Sequence, residues 1–339
     1  MHPAAAQSSL PKVVISVLNW NAAHATLRCL DALKQLLPCS AGCASVQVVV
    51  LDNGSREDDW AALRDGVDPR WVLLLRQQEN LGFAGGHNLV IRRAMADAAD
   101  YAWLLNNDAV VSPDTLSKLL QRMAADAACG AVSPVIFASH DETLVDFCGA
   151  MHDWRRLESV RPGTPEHAAS LQSSFPQDMW VHGTAVLYRL SSLAEAGVFD
   201  EGMFAYYEDD DLGVRLSSLG WSSQVVFDTV IRHDRSAALL DERPSHFFYL
   251  MARNGFRFWL RHTARPHRRL IRLRLLSRSL LIAAKLRERG FPEKCNACLL
   301  GAWDGLRGRS GPPRLAEQAP RWLVLASFFF PYRLQKLLG

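Results

Sequence analysis

VVISVLNWN at residues 13–21 opens with an apolar, β-branched run that recurs in kind as VQVVVL at 46–51, WVLLLR at 71–76 and YAWLL at 101–105. Runs that are apolar at nearly every position read as strands buried on both faces, because a strand with one wet face would alternate. Residues 22–37, 56–64, 87–98 and 113–127 carry helical patterning between and after them. Strand and helix in alternation predict parallel strands joined by right-handed crossovers, a sheet whose ligand lies beyond the carboxyl ends of its strands. The polar cluster after each strand is therefore the informative part. These are Asn19-Trp20-Asn21, Asp52-Asn53-Gly54-Ser55, the segment from Asn80 through Gly82 to Gly86, and Asn106-Asn107-Asp108. All are expected on one rim.

Past residue 130 the alternation fades. Residues 179–188 read as a strand, 191–196 as a short helix, 224–227 and 229–231 as extended pieces, and 160–175 as a mobile loop. Residues 209–219 form an amphipathic helix with Leu212, Val214, Leu216 and Leu219 on its apolar side. Beyond Arg253 the chain is rich in Arg and Leu, and a helix over 270–286 would set Arg272, Arg274, Arg278 and Lys285 around a leucine stripe. The division expected is a disordered amino terminus at 1–11, an α/β domain at 12–258 and a basic helical extension at 259–339.

Charge sharpens that division. The net +3 of the 339 residues conceals −12 over residues 1–250 and +15 over 251–339. Such polarity implies that the basic part faces an anion, phospholipid or nucleic acid. With 49% apolar and 22% charged residues the chain is neither disordered nor fibrous. No apolar run reaches the roughly 20 residues that span a bilayer. The longest, at 322–331, is half that, and no secretory leader opens the sequence, so a cytoplasmic protein is expected. In such a compartment the seven cysteines read as reduced, and neither Cys39 with Cys43 nor Cys295 with Cys298 has a suitably spaced Cys/His partner for zinc.

Several side chains can carry chemistry. Asn106-Asn107-Asp108 is by itself an ordinary hydrogen-bonded turn, but after a parallel strand its carboxylate can hold a hard divalent cation, Mg²⁺ or Mn²⁺, that bridges a diphosphate. Asp52 and Ser55 serve equally as a turn with a helix cap or as acceptors for a nucleotide. Gly82 to Gly86 either turns the chain or lets backbone approach a phosphate. Glu208-Asp209-Asp210-Asp211 opens a predicted helix, where the dipole favours carboxylates. Phe204, Tyr206 and Tyr207 precede the run and Leu212 follows it. Crowded carboxylates in apolar surroundings are pushed upward in pKa, as a general base near neutrality requires. His233 adds an imidazole, and Trp180, His182 and Gly183 begin a strand that can shape an acceptor pocket.

Taken in order, VVISVLNWN, VVVLDNGS, ENLGFAGGHN, YAWLLNNDAVV, the stretch 181–221 and the later Tyr249-x3-Arg253-Asn254 resemble the family 2 glycosyltransferases, especially their rhamnosyltransferase-like branch. The resemblance runs from about Val13 to Phe258. It implies a GT-A fold: α/β, a Rossmann-like mixed sheet flanked by helices, with the basic helical extension appended. It also implies that Asn19, Asp52, Asn53, Ser55, Asn80, Gly82, Asn106 and Asn107 hold a nucleoside-diphosphate sugar, dTDP- or UDP-linked. Asn106-Asn107-Asp108 stands at the family's metal-binding D-x-D element with Asn106 in place of the first aspartate, so Asp108 is the surer ligand, with His233 completing the site. Asp209, beside Glu208, corresponds to the family's base; Asp210 next to it departs from the usual neutral residue. Trp180, His182 and Gly183 fall on the acceptor side. The implied reaction is an inverting, metal-dependent transfer, with rhamnose one candidate sugar, to a glycan or lipid-linked saccharide of a surface polysaccharide. The basic tail would then rest on the inner face of the cell membrane.

Two other functions compete. A nucleotidyltransferase would use a similar rim and release pyrophosphate, but no glycine-rich loop with Lys or Arg lies near the amino terminus to cradle a triphosphate. A nucleic-acid-binding module would use the tail, yet residues 260–290 interleave few stacking aromatics with their arginines.

Overall fold

The computed structural model describes residues 10–234 and 242–330. Most of the segment expected to be disordered and the last nine residues of the extension lie outside that range. The predicted strands are present as β1 (Lys12–Asn19), β2 (Ser45–Asn53), β3 (Val72–Gln77) and β4 (Tyr101–Asn106). β1 pairs in parallel with both β2 and β4, and β3 adds to β2, giving the order β3-β2-β1-β4. The connections are α1 (Ala23–Ser40), α2 (Glu57–Gly66) and α3 (Gly82–Ala96). Successive residues of β1 enter opposite layers. Val13, Ile15 and Val17 pack with Leu30 and Leu33 of α1, and Val14 packs with Val90 and Ile91 of α3. Burial on both faces is what forbids polar alternation in these strands, and truncating a wholly buried Ile15 or Leu33 to alanine costs about 2–5 kcal/mol.

The second half makes the sheet mixed. After β5 (Ala109–Val111) and α4 (Thr115–Ala125), β6 (Cys129–Ala138) carries β7 (Asp141–Phe147) antiparallel beside it. β8 (Met151–Asp153) and β9 (Glu158–Val160) form a separate antiparallel pair. Then follow α5 (Pro165–Ser174), β10 (Ala185–Arg189), α6 (Leu190–Ala196), α7 (Glu208–Ser218) and β11 (Ser222–His233). β10 runs antiparallel between β4 and β6, β11 runs parallel to β6, and β5 closes the edge, for nine strands among the described residues.

Four sequence expectations need correction. The glycine segment is the first turn of α3, not a loop before a helix at residue 87. Gly82, at φ +72°, sits so close to Phe204 that a Cβ would fall 2.3 Å from its carbonyl oxygen. Residues 160–175 hold α5, whose amide at His167 is capped by Thr164 Oγ1 and whose Gln172 bonds the backbone of Val225. The strand read over 179–188 is confined to β10, because residues 181–184 leave the ladder toward a cavity. The two extended pieces near 224 and 229 are one strand with an irregularity between Val226 and Val230.

The carboxyl-terminal helices are α8 (Ser245–Arg261), α9 (Arg268–Glu288), α10 (Pro292–Leu306) and α11 (Arg321–Phe329). They share a core of their own, in which Phe248 and Leu250 of α8 meet Leu280 of α9 and Cys298 and Leu299 of α10. The two cysteines of the 295–298 pair are buried thiols. Much of the positive charge is turned inward: Arg257 and Arg261 pair with Asp200, Arg261 also with Asp211, and Arg274 and Arg278 donate to the carbonyls of residues 155–157. Among the described residues no helix is long and apolar enough to cross a membrane.

Candidate active site

The register of the last strands assembles one corner of a cavity of about 820 Å³. β5 sets Ala109 opposite His233 of β11, so the preceding Asp108 comes alongside the imidazole, with Oδ1 3.0 Å from Nε2. The amide of Asp234 donates to the Asp108 carbonyl at 2.8 Å and holds that turn in place. β7 and β11 both pair with β6, which brings Asp146 Oδ2 to 2.8 Å from the other ring nitrogen, Nδ1. Asn106 Nδ2 lies 3.3 Å from Nε2. Burial of His233 opposes its charge, but hydrogen bonds to Asp108 and Asp146 outweigh that and bring its pKa up to about 9. The residues predicted for a cation are thus brought together, and Asp146 joins them.

The donors suit a divalent metal. Among the described residues no group of three or more His, Cys, Asp or Glu side chains is arranged to enclose an ion alone. Mg²⁺ and Mn²⁺ at a diphosphate commonly take only one or two protein donors, keeping other positions for phosphate oxygens and water. A carboxylate and an imidazole converging on an open cavity match that pattern.

The acidic corner is built by a strained loop. Phe204, Tyr206 and Tyr207 take φ of +64°, +69° and +72°, and Tyr207 leads directly into α7. Side chains bearing Cβ adopt that region at a cost of order 1–3 kcal/mol each, so partners must hold them there. Asn254 Nδ2 donates to the carbonyls of Ala205 and Tyr206 at 2.8 Å, Arg253 donates to Met203 at 2.9 Å, and the amide of Ala84 donates to Phe204 at 3.1 Å. The Arg253-Asn254 pair read in the sequence is therefore the clamp that aims the start of α7 into the cavity.

Four consecutive acids then take different environments. Glu208 is buried, its Oε2 has no hydrogen-bond partner among the described residues, and burial followed by the neighbouring Asp209 pushes its pKa well above the usual range. Asp209 accepts the amide of Gly183 at 3.2 Å and that of Asp210 at 3.0 Å, and lies 3.7 Å from His182 Nε2. His182 Nδ1 lies 2.8 Å from Thr184 Oγ1 and 3.2 Å from the Thr184 amide, which leaves Nε2 facing Asp209. Asp210 lies 2.8 Å from His152 Nε2 and accepts from Ser159 at 3.1 Å; burial raises its pKa, and the contact with His152 partly offsets this. Asp211 points away, wholly buried against Arg215, Arg261 and His262, which overcome its burial and bring its pKa down to about 2. It is a structural anchor.

Other predicted residues bond to one another away from the cavity lining. Asn19 Nδ2 donates to Asp52, Ser55 and Asp59, and Asn19 Oδ1 accepts from Thr26, which in turn accepts from Asn107. Asn53 donates to Asn80 and to the Gly82 carbonyl, while Asn80 accepts the Gly82 amide. None of Asn19, Asp52, Asn53, Ser55, Asn80, Gly82 and Asn107 lines the cavity. Trp180 is also outside the lining, 1% exposed and stacked on His152. His182 and Gly183 do line it.

Sequence reading missed Asp146, His152, Arg161 and Arg278. Arg161 reaches over the rings of Phe147 and Trp180 at the cavity, and Arg278 of α9 lines the same space, so the extension contributes to the site. Nothing local in the sequence marks Asp146, His152 or Arg161, and Arg278 was legible only as one basic residue of its helix; tertiary pairing brings all four in.

The family model described as "Glycosyltransferase like family 2" matches residues 11–255. An N-acetylglucosaminyl-diphospho-decaprenol L-rhamnosyltransferase of Mycobacterium tuberculosis is 29% identical over 221 residues, 59% of this chain and 70% of that protein. Galactofuranosyltransferase GlfT1 of the same organism is 26% identical, covering 55% of this chain and 60% of its own length. Among solved structures, mannosyltransferase PcManGT from Pyrobaculum calidifontis in complex with GDP-Man and Mn²⁺ superposes with a TM-score of 0.54 at 17% identity, covering 98% of this chain and 86% of that one. S. aureus TarS 1-349 in complex with UDP-GlcNAc gives 0.54 at 13% identity, covering 96% and 90%. These likenesses establish the GT-A fold that the sequence implied. With a family model spanning well over half its length, the chain belongs to glycosyltransferase family 2.

Proposed function

We propose that the protein transfers a sugar from a nucleoside diphosphate to a hydroxyl of a glycan or lipid-linked saccharide, inverting the anomeric carbon, in the assembly of a surface polysaccharide. The observation that carries this reading is the convergence of Asp108 and His233 with Glu208, Asp209 and Asp210 on one cavity. Asp209 takes the proton of the acceptor hydroxyl, with the Gly183 amide and the His182 ring fixing its direction. Such general-base assistance contributes about 10²–10⁴ in rate. Asp108 and His233 are the donors for Mn²⁺ or Mg²⁺, which when bound compensates charge on the departing diphosphate. The Asn19–Asp52–Ser55 and Asn53–Asn80–Gly82 meshes fix the loops that frame the nucleotide. The Mn²⁺ and GDP-Man of the archaeal structure and the names of the mycobacterial relatives support a metal-dependent sugar transfer, and the decaprenol diphosphate in one name supports a lipid-linked acceptor.

Rhamnose on dTDP is the first donor to test. Incubation with dTDP-, UDP- and GDP-sugars, with and without Mn²⁺, should release nucleoside diphosphate from one of them in a metal-dependent way. Pyrophosphate release from nucleoside triphosphates instead would reject the reading in favour of a nucleotidyltransferase. The protein acts at the inner face of the membrane, where α11 turns Trp322, Leu325, Phe328 and Phe329 outward and Arg287 lies 3.6 Å over the Phe328 ring. Basic residues there add about 1 kcal/mol each against anionic lipid. Failure to float with anionic vesicles would exclude this attachment.

A further inference from the structure

The cavity contains a carboxylate that neither the motifs nor the proposed reaction uses. Asp146 projects from β7, on the far side of β6 from the strand that carries His233, and its Oδ2 lies 2.8 Å from His233 Nδ1. Its side chain is 19% exposed and that of His233 5%, so water competes poorly for the contact. On the opposite side of the ring, Nε2 is 3.0 Å from Asp108.

A neutral imidazole has one proton and two nitrogens, and only the nitrogen without the proton can donate a lone pair to a metal. A fixed acceptor beside Nδ1 keeps the proton there, orients the ring and makes the other nitrogen more basic. We propose that Asp146 is a positioning residue that, by accepting the Nδ1 proton, turns His233 Nε2 toward Asp108 and thereby sets the affinity of this corner for a divalent cation. The inference rests on reading Asp108 and His233 as the protein donors to that cation. The fold explains why a residue remote in sequence does this: the end of β6 pairs with both β7 and β11, and this brings Asp146 and His233 to the same corner.

Mn²⁺ is the probe, added to the full-length protein with and without UDP. Free Mn²⁺ is counted by its electron paramagnetic resonance signal, and histidine coordination is read from nitrogen modulation of the bound ion's spin echo. Asp146→Ala should weaken Mn²⁺ binding 10- to 100-fold and diminish the nitrogen modulation, while the circular dichroism spectrum is unchanged. Asp146→Asn keeps an acceptor oxygen without the charge and should retain the nitrogen signal with a smaller loss of affinity. If the alanine variant does not fold, the asparagine variant decides, and an affinity equal to wild type overturns the proposal. Wild-type affinity and modulation in Asp146→Ala overturn it as well. If wild-type protein binds Mn²⁺ without nitrogen modulation, or Asp108→Asn binds it as well as wild type, the donor assignment itself has failed and the proposal falls with it.

Discussion

At the ends of β1, β2 and β3, the polar side chains are engaged with one another: Asn19 alone links Asp52, Ser55, Asp59 and Thr26. At the start of α7 the arrangement is the reverse, for among the described residues Glu208 buries an oxygen without a hydrogen-bond partner and Asp209 meets two amide N–H groups and a histidine 3.7 Å away. The first rim is saturated with internal hydrogen bonds, which suits the framing role proposed for it. The second keeps unsatisfied acceptor capacity, which a strained loop clamped by Asn254 holds in position. If the proposed roles hold, one rim holds and the other reacts, and substitutions on the two should fail in different ways.

The largest effect is expected at Asp209. Asp209→Asn keeps the shape and removes the proposed base, so transfer should fall about 10²–10⁴-fold with thermal stability within about 0.5 kcal/mol of wild type. Transfer measured by nucleoside diphosphate release checks this, and a variant as active as wild type would move the base elsewhere on the helix.

Asn19→Ala tests the saturated rim. It removes a buried donor to two carboxylates, of which Asp52 is wholly buried and Asp59 partly exposed, and a buried hydrogen bond to a charged group contributes about 1.5–3 kcal/mol. A loss of about 2–3 kcal/mol in urea unfolding is expected. At temperatures where the variant stays folded, the rate at saturating donor should hold within a few fold while the donor KM rises. If the rate constant collapses with stability intact, the division between the rims is wrong.

How far this division could be read in advance varies along the chain. β1 to β4 were legible because burial on both faces leaves an unbroken apolar record, and the clusters after them follow from the topology. β6 was not, since Ser133 and Pro134 interrupt its run and its pairing with β11 is irregular. The start of α3 was hidden by glycines whose role is close packing against Leu18 and Phe204. Of the residues that line the cavity, Asp108, Asp209 and His233 were named in advance through the motifs and the resemblance. The distinction between Asp209 and Asp211 was not, because it depends on Arg261 and His262, fifty residues further along on and just beyond α8. Asp146 left no mark at all, since its partner is supplied by strand pairing across β6.

The smallest effect distinguishes a reactive carboxyl from a merely crowded one. Glu208 has its folded pKa raised, first by burial and then by Asp209, so it retains its proton where the unfolded chain would have released it. A group of this kind contributes stability below its ordinary pKa near 4.5, and that contribution is lost as pH rises toward the folded value. Glu208→Gln imitates the protonated form at every pH. At pH 4 the variant and wild type should therefore unfold within about 0.5 kcal/mol of each other, and at pH 7.5 the variant should be the more stable. Transfer by the variant should change by less than about tenfold, because Asp209 keeps the proton-accepting role, whereas proton transfer through Glu208 itself would make the loss as large as that at Asp209. Urea unfolding at the two pH values, with transfer rates on the same preparations, separates these outcomes, and a glutamine variant less stable than wild type at pH 7.5 would show that Glu208 is ionised in the folded protein.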